Sequence, residues 1–266
     1  MSGTFRILPR AAIQRRRRLV VGNWKMNPGT VDEAVALAAE VARIDARDVE
    51  VGIAPPAIAL GRVAESVRGS ALRVFAQDVH WEQKGAFTAQ ISASMLSGIA
   101  VGSIVGHSEV RRDQRDDDAR VAAKATAALR AGLSVILCLG ESLAQRTGGE
   151  TDAVLERQVR DGIGPIPRDV LAAEHGVRFA VAYEPIWAIG TGVAASGPQA
   201  SEAIRKIRLE LLRVGVDGTA ATIMYGGSVT AASVREFARA DGVDGALVGG
   251  SSLKPEEFAA IVAAFR

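Results

Sequence analysis

Four polar residues, Asn23, Lys25, His107 and Glu184, each stand just beyond a short apolar run. Their types form a coherent set. A glutamate can remove a proton from a carbon beside a carbonyl, and a histidine can donate a hydrogen bond to the oxygen that gathers charge. Lysine supplies positive charge toward an anionic substrate, and asparagine a further polar contact near that oxygen. Glycine-rich turns at Gly190-Thr191-Gly192, Gly226-Gly227-Ser228 and Gly249-Gly250 can aim backbone N–H groups at a phosphate. The last can also use the positive end of a short helix. Together these parts suit isomerisation of a small phosphorylated ketone or aldehyde.

Glu184 lies in VAYEPIWAIGTG, residues 181–192. Apolar and small residues run up to Tyr183 as a buried strand. Pro185 blocks further pairing and biases Glu184 toward an extended backbone. Gly-Thr-Gly then frees the chain to turn. On its own the stretch fits a base under a closing lid, and equally an exposed acid beside a structural turn. His107 on its own fits a satisfied structural histidine. Their neighbours supply the context.

Eight apolar runs deliver these groups: residues 19–21, 49–53, 72–76, 101–105, 134–139, 177–183, 221–225 and 245–248. Between them lie helical patterns. Residues 31–43 place Val31, Val35, Ala38 and Ala42 on one face, and a later helix aligns Ala200, Ile204, Ile207, Leu211 and Val214. Others run through 59–67, 119–130, around Val154 to Val159, 234–238 and onward from Pro255. Strand starts recur about every 32 residues. That rhythm predicts an α/β chain folded as a (β/α)8 barrel, in which all strand C-termini meet on one rim and active sites form there. A doubly wound sheet is the structural rival, but no GxGxxG follows the first strand.

The 266 residues are 48% hydrophobic and 23% charged, the balance of an ordinary globular protein. No run is long enough for a membrane span. A single cysteine, Cys138, rules out an internal disulfide framework and a Cys-based zinc site, and three histidines form no metal pattern. No cofactor or metal is expected, and a cytoplasmic location is the default. Six of the 32 basic residues are arginines within the first 18 positions; the remaining 26 face 30 acids, a net of −4. Residues 1–17 are read as an Arg-rich extension and 18–266 as one catalytic domain. The run Arg15 to Arg18 would also suit a nucleic-acid arm or an organellar presequence. No basic groove accompanies it, so neither a nucleic-acid nor a membrane partner is expected.

The stretches GNWKMN (22–27), GAFTAQIS (85–92), GHSE (106–109), CLGE (138–141), AYEPIWAIGTG (182–192), YGGSV (225–229) and DGALVGGSSLKP (244–255) resemble the triosephosphate isomerase family, in its order and near its spacing. The resemblance implies a TIM barrel that interconverts dihydroxyacetone phosphate and D-glyceraldehyde 3-phosphate in glycolysis and gluconeogenesis. It implies Glu184 as the proton shuttle, neutral His107 as electrophile, and Lys25 and Asn23 as groups that polarise and hold the substrate. Gly190, Ser228, Gly249 and Gly250 would cradle the phosphate. Residues 185–195 would form a lid, held closed by Tyr225 and Ser228. Glu109 would be a buried acid supporting Lys25 or His107, with Glu141 and Trp187 bracing the lid's first hinge. A homodimer is implied, in which Thr88 of a long third loop reaches the partner's site.

This chain also departs from the family pattern. Val110 stands where GHSERR has its first arginine, and Gln90 where TGEIS has its acid. These two normally pair across the dimer, so their joint loss reads as a retuned interface. Asp78 replaces an asparagine. Residues 92–107 are one short, and residues 193–198 close the lid with an altered sequence. The changes leave open a sibling enzyme acting on a four-carbon ketose phosphate. A non-catalytic barrel would require loss of reactive groups that are all present. Trp24 and Met26 are expected to pack around Lys25, and Cys138 to be a small core residue. His80 and His175 are assigned to surface or loop roles. Asp116 to Asp118 are expected to face solvent and cap the next helix.

Overall fold

The computed structural model describes residues 16–172, 179–190 and 195–266. Strands of four to six residues pair in parallel: β1 (Arg18–Asn23), β2 (Val49–Ala54), β3 (Arg73–Ala76), β4 (Gly102–Val105), β5 (Ser134–Leu139), β6 (Phe179–Tyr183), β7 (Thr222–Tyr225) and β8 (Gly245–Val248). Each pairs with its sequence neighbour. Val20 of β1 lies opposite Val51 on one side and Ala246 on the other, so the sheet closes as a barrel. The expected architecture is therefore present.

Side-chain alternation sorts the apolar residues into two layers. Leu19, Val21, Phe75, Ile104, Ile136, Cys138, Ala180, Ala182, Met224 and Leu247 fill the barrel interior. The intervening Val20, Val135, Leu137, Val181, Tyr183 and Tyr225 pack outward into the larger core under the helices. Those helices are α1 (Val31–Val41), α2 (Ala57–Ser66), α3 (Ala93–Leu96), α4 (Ser108–Asp113), α5 (Asp118–Arg130), α6 (Leu143–Thr147), α7 (Thr151–Gly162), α8 (Arg168–Ala172), α9 (Gly197–Arg213), α10 (Val234–Arg239) and α11 (Pro255–Ala264). Starts are set by local chemistry. Thr30 and Glu33 form a capping box at α1, as do Ser196 and Gln199 at α9, and Asp117 caps α5.

Several expectations need correction. The buried face of α1 is Ala34, Ala38 and Val41, while Val31, Val35 and Ala42 are only half-buried. Alanines let the helix backbone approach the barrel, and the bulkier valines flank that contact. The charged segment after β4 begins with the short helix α4, capped by the side chain of His107. Met26 is 92% exposed and does not pack around Lys25, whereas Trp24 is buried. His80 lies in the third loop but is buried, stacked on Trp81 and against Phe87. Of the acidic run, Asp117 caps as expected, yet Asp116 is buried. It and Asp78 both grip buried Lys124, at 2.5 and 2.6 Å. An ammonium taken out of water must find carboxylates, and α5 brings it to these two. Cys138 is the expected core residue. His175 lies outside the described residues.

Candidate active site

The inward alternation of the strands continues past their ends. Residues in step with Leu19 and Val21 include Asn23 and Lys25; those in step with Ala180 and Ala182 include Glu184. Gly226 and Ser228 follow Met224 in the same way, and Gly249 follows Leu247. All of these line one cavity of about 430 Å³ at the barrel mouth, together with His107, Gly190 and Gly250. Two close approaches depend on glycine. A Cβ at Gly140 would lie 1.7 Å from the carbonyl oxygen of Glu184, so β5 and the Glu184 backbone meet only because that Cβ is missing. A Cβ at Gly226 would fall 2.9 Å from the Glu184 side chain.

Glu184 is 1% exposed. Its Oε2 accepts a hydrogen bond from the backbone N–H of Ser108 at 3.0 Å. Its Oε1 lies 3.2 Å from His107 Nε2, but off a hydrogen-bonding line, and has no hydrogen-bond partner among the described residues. A buried oxygen left this way costs roughly 1–3 kcal/mol, which marks the position as kept for something other than stability. The neighbouring Cys138 thiol is pushed far up, by burial first and then by the Glu184 carboxylate.

His107 is fixed by the start of α4. Its Nδ1 accepts the backbone N–H of Glu109 at 3.2 Å, so Nδ1 carries no proton. The ring proton then sits on Nε2, which faces the cavity. Alternation along β4 would send residue 107 outward, since Ile104 points in. Gly106, at φ 71°, breaks that rhythm and turns the imidazole into the mouth.

Lys25 has φ 54°, a left-handed conformation that costs a non-glycine residue about 1–2 kcal/mol. Three bonds hold it. Its N–H donates to Asn23 Oδ1 at 3.1 Å, and its carbonyl accepts from Gln77 Nε2 at 2.7 Å. Its Nζ lies 2.6 Å from Glu109 Oε1. Glu109 therefore contacts Lys25 as expected, but its side chain is 38% exposed rather than buried. It stands on the first turn of the short helix α4.

The remaining expected residues form a second tier. Glu141 is fully buried and accepts from Tyr183 OH, Trp187 Nε1 and Arg146, each at 3.0–3.2 Å. Arg146 also lies over the Trp187 ring, 5.2 Å from its centroid. Tyr225 stacks on Phe237, and its hydroxyl accepts the N–H of Ala195 at 3.2 Å; burial pushes that phenol up to about 12. Ser228 donates its hydroxyl and its N–H to the carbonyl of Ala188, in the turn after Glu184. A 3-10 turn, Gly250–Leu253, follows β8 where a short helix was anticipated. Thr88 is exposed in the third loop and is not brought to the cavity. Of residues 185–195, positions 191–194 lie outside the described residues. Gln77, Ser108 and Arg111 were not anticipated; only Gln77 left a signal, its inward step from Phe75.

A hollow of about 920 Å³ runs between the base of the third loop and α5. Its floor is alanine-rich, and no set of reactive groups converges there. The smaller cavity at the barrel mouth is where Asn23, Lys25, His107 and Glu184 converge. Among the described residues, no group of His, Cys, Asp and Glu could hold a metal ion.

Comparison with known proteins agrees with this geometry. The family model "Triosephosphate isomerase" matches residues 18–265. Triosephosphate isomerase of Bordetella pertussis is 44% identical over 253 residues, covering 94% of this chain and 98% of that protein. The enzyme of Trichlorobacter lovleyi is 42% identical over 252 residues, covering 93% and 98%. The crystal structure of triosephosphate isomerase from Bartonella henselae superposes with a TM-score of 0.83 at 33% identity, covering 94% of this chain and 99% of that one. A closed eight-stranded barrel, a buried carboxylate facing an imidazole at its mouth, and these matches over nearly the whole length agree: the chain belongs to the triosephosphate isomerase family.

Proposed function

We propose that this chain is a cofactor-independent isomerase that interconverts dihydroxyacetone phosphate and D-glyceraldehyde 3-phosphate through an enediol(ate). The observation that carries this reading is the pair Glu184 and His107, 3.2 Å apart, with a carboxylate oxygen unpaired and the ring proton directed into the cavity. Glu184 takes a proton from C1 of the ketone. The C–H electron pair forms the C1–C2 double bond, and charge moves onto the C2 oxygen. His107 Nε2–H and the Lys25 ammonium stabilise that oxygen, with Asn23 beside it. Return of the proton to C2, with the hydroxyl proton relocated between the two oxygens, gives the aldehyde. Gly190, Ser228, Gly249 and Gly250 face the same cavity and are assigned to the phosphate. Glu109 holds Lys25, and Glu141, Trp187 and Tyr225 brace the segment after Glu184.

No observation favours a four-carbon substrate. Turnover of dihydroxyacetone phosphate and of a tetrulose phosphate by the purified protein tests both; preference for the longer sugar would overturn the assignment. We further place the catalytic domain at 18–266 and an Arg-rich extension at 1–17. The family match from residue 18 supports that boundary, though Arg16 and Arg17 already pair with Asp244 and Glu50. A homodimer is supported by exposed Met26, Ile58, Phe87 and Met95, which follow or lie near the ends of β1 to β3. Thr88, in the same third loop, would then reach the partner's site. A cytoplasmic location accords with the absence, among the described residues, of any helix long and apolar enough to cross a membrane.

A further inference from the structure

We propose that Arg111 is a positioning residue for the isomerisation, a guanidinium brace that ties the tips of β4 and β5 together and holds His107 on aim. The inference rests on the function proposed above and adds a residue to it. His107 points into the cavity only because Gly106 adopts φ 71° against the alternation of β4. That turn needs an external hold, since a glycine in this conformation has many alternatives.

Arg111 supplies it from within the next helix. Its Nε donates to the Gly106 carbonyl at 2.8 Å, and its NH2 group to the carbonyl of Cys138 at 3.3 Å. Its backbone N–H donates to the His107 carbonyl at 2.9 Å. The third side of the guanidinium pairs with Asp118 at 2.7 Å, which Arg157 contacts from outside at 3.3 Å. One planar group thus fixes the residue before the imidazole and a carbonyl on the strand beside Glu184. The side chain is only 15% exposed, and it never enters the cavity. A lysine could keep the ion pair with Asp118 but cannot present the same fork of donors to two carbonyls.

The test compares Arg111→Lys with Asp118→Asn. Asp118 shares the ion pair but touches neither strand tip, so its loss reports the structural contribution alone. For Arg111→Lys, kcat should fall by about 10- to 100-fold with KM changed less than about twofold, as expected for a misplaced reactive group. The His107 imidazole NMR signals should shift. Asp118→Asn, at a comparable drop in melting temperature, should keep kcat within about threefold and leave those signals in place. If Arg111→Lys does not fold, Arg111→Gln, whose amide can still reach Gly106, takes its place in the same comparison. Unchanged kcat on removing the guanidinium, or equal losses from Asp118→Asn at equal stability, would overturn the proposal. Turnover by the unaltered protein reads the proposed function separately, so failure of one is distinguishable from failure of the other.

Discussion

Glu141 and Glu184 sit on neighbouring strand ends, both essentially without solvent exposure, yet their surroundings are opposite. Glu141 continues the outward step of Leu137 and Leu139. There it meets Tyr183, Trp187 and Arg146, and each of its oxygens has a hydrogen-bond donor. Its negative charge pushes the Tyr183 phenol further up, beyond what burial alone does. Glu184 continues the inward step of Ala180 and Ala182. There it meets one backbone N–H, the His107 ring and a cavity. Burial is therefore no mark of a base. A base needs a spare lone pair in a place a substrate can reach, and the protein gives up stability to keep it spare. One residue of alternation decides which carboxylate plays which part.

The comparison breaks most sharply at Glu184. Glu184→Gln should lower kcat by about 10³–10⁴-fold while a phosphate-bearing analogue still binds, because only the proton acceptor is lost. Glu184→Asp keeps the acceptor but withdraws it by about one methylene, and should lose roughly 10²-fold or more. Unchanged turnover in both would remove Glu184 from the chemistry. His107→Gln comes next, with kcat expected down about 10²–10³-fold, the usual size for removing one donor to a developing oxyanion. Steady-state kinetics and isotope exchange into the substrate carbon measure both.

Glu141→Gln should reverse the balance between rate and stability. The amide still accepts from Tyr183 or Trp187, but the ion pair with Arg146 is gone. A stability loss of about 2 kcal/mol is expected for charge-assisted bonds in this setting. That corresponds to a melting temperature lower by roughly 4–8 °C in a chain this long. The rate should fall less than about tenfold, because the hinge is loosened and the base is not removed. If Glu141→Gln cost as much rate as Glu184→Gln, the two carboxylates would not be divided as argued.

The barrel and most of its mouth were legible because they rest on short-range rules. Alternation put Asn23, Lys25, Glu184 and Gly249 in line with interior residues, and Pro185 ended β6 where the carboxylate was needed. What escaped was set by meetings between distant segments. Nothing near His107 predicts its direction, which alternation alone gives wrongly; it needs the left-handed Gly106 and a guanidinium five residues on. Gln77 holds the strained Lys25 carbonyl from 52 positions away. Glu109 pairs with Lys25 as the motif implies but is not buried, because the openness of the rim is a property of the closed barrel. Asp116 has charged sequence neighbours, which suggest a solvated acid, while its partner is Lys124 on the buried side of α5.

Asp78 offers the finest test, since it is a third enclosed carboxylate that is neither saturated like Glu141 nor turned to the cavity. It shares Lys124 with Asp116, so two acids face one ammonium, and its buried Oδ1 has no hydrogen-bond partner among the described residues. Burial pushes the Asp78 carboxyl above the ordinary 3.8, and Lys124 only partly offsets this. A carboxyl whose pKa is raised on folding binds its proton more tightly in the folded state. Its contribution to stability is therefore best below the ordinary pKa and is lost as pH rises through the raised value. Asp78→Asn removes that titration. The melting temperature of Asp78→Asn minus that of the unaltered protein should become more positive as pH is taken from about 4 to about 7. Kcat should change little, because Gln77, one residue before, keeps its hold on Lys25. A flat or falling difference would mean that Lys124 keeps Asp78 as fully satisfied as Glu141. Among the described residues, the Glu184 site would then be the one place where a buried carboxylate oxygen lacks a hydrogen-bond partner.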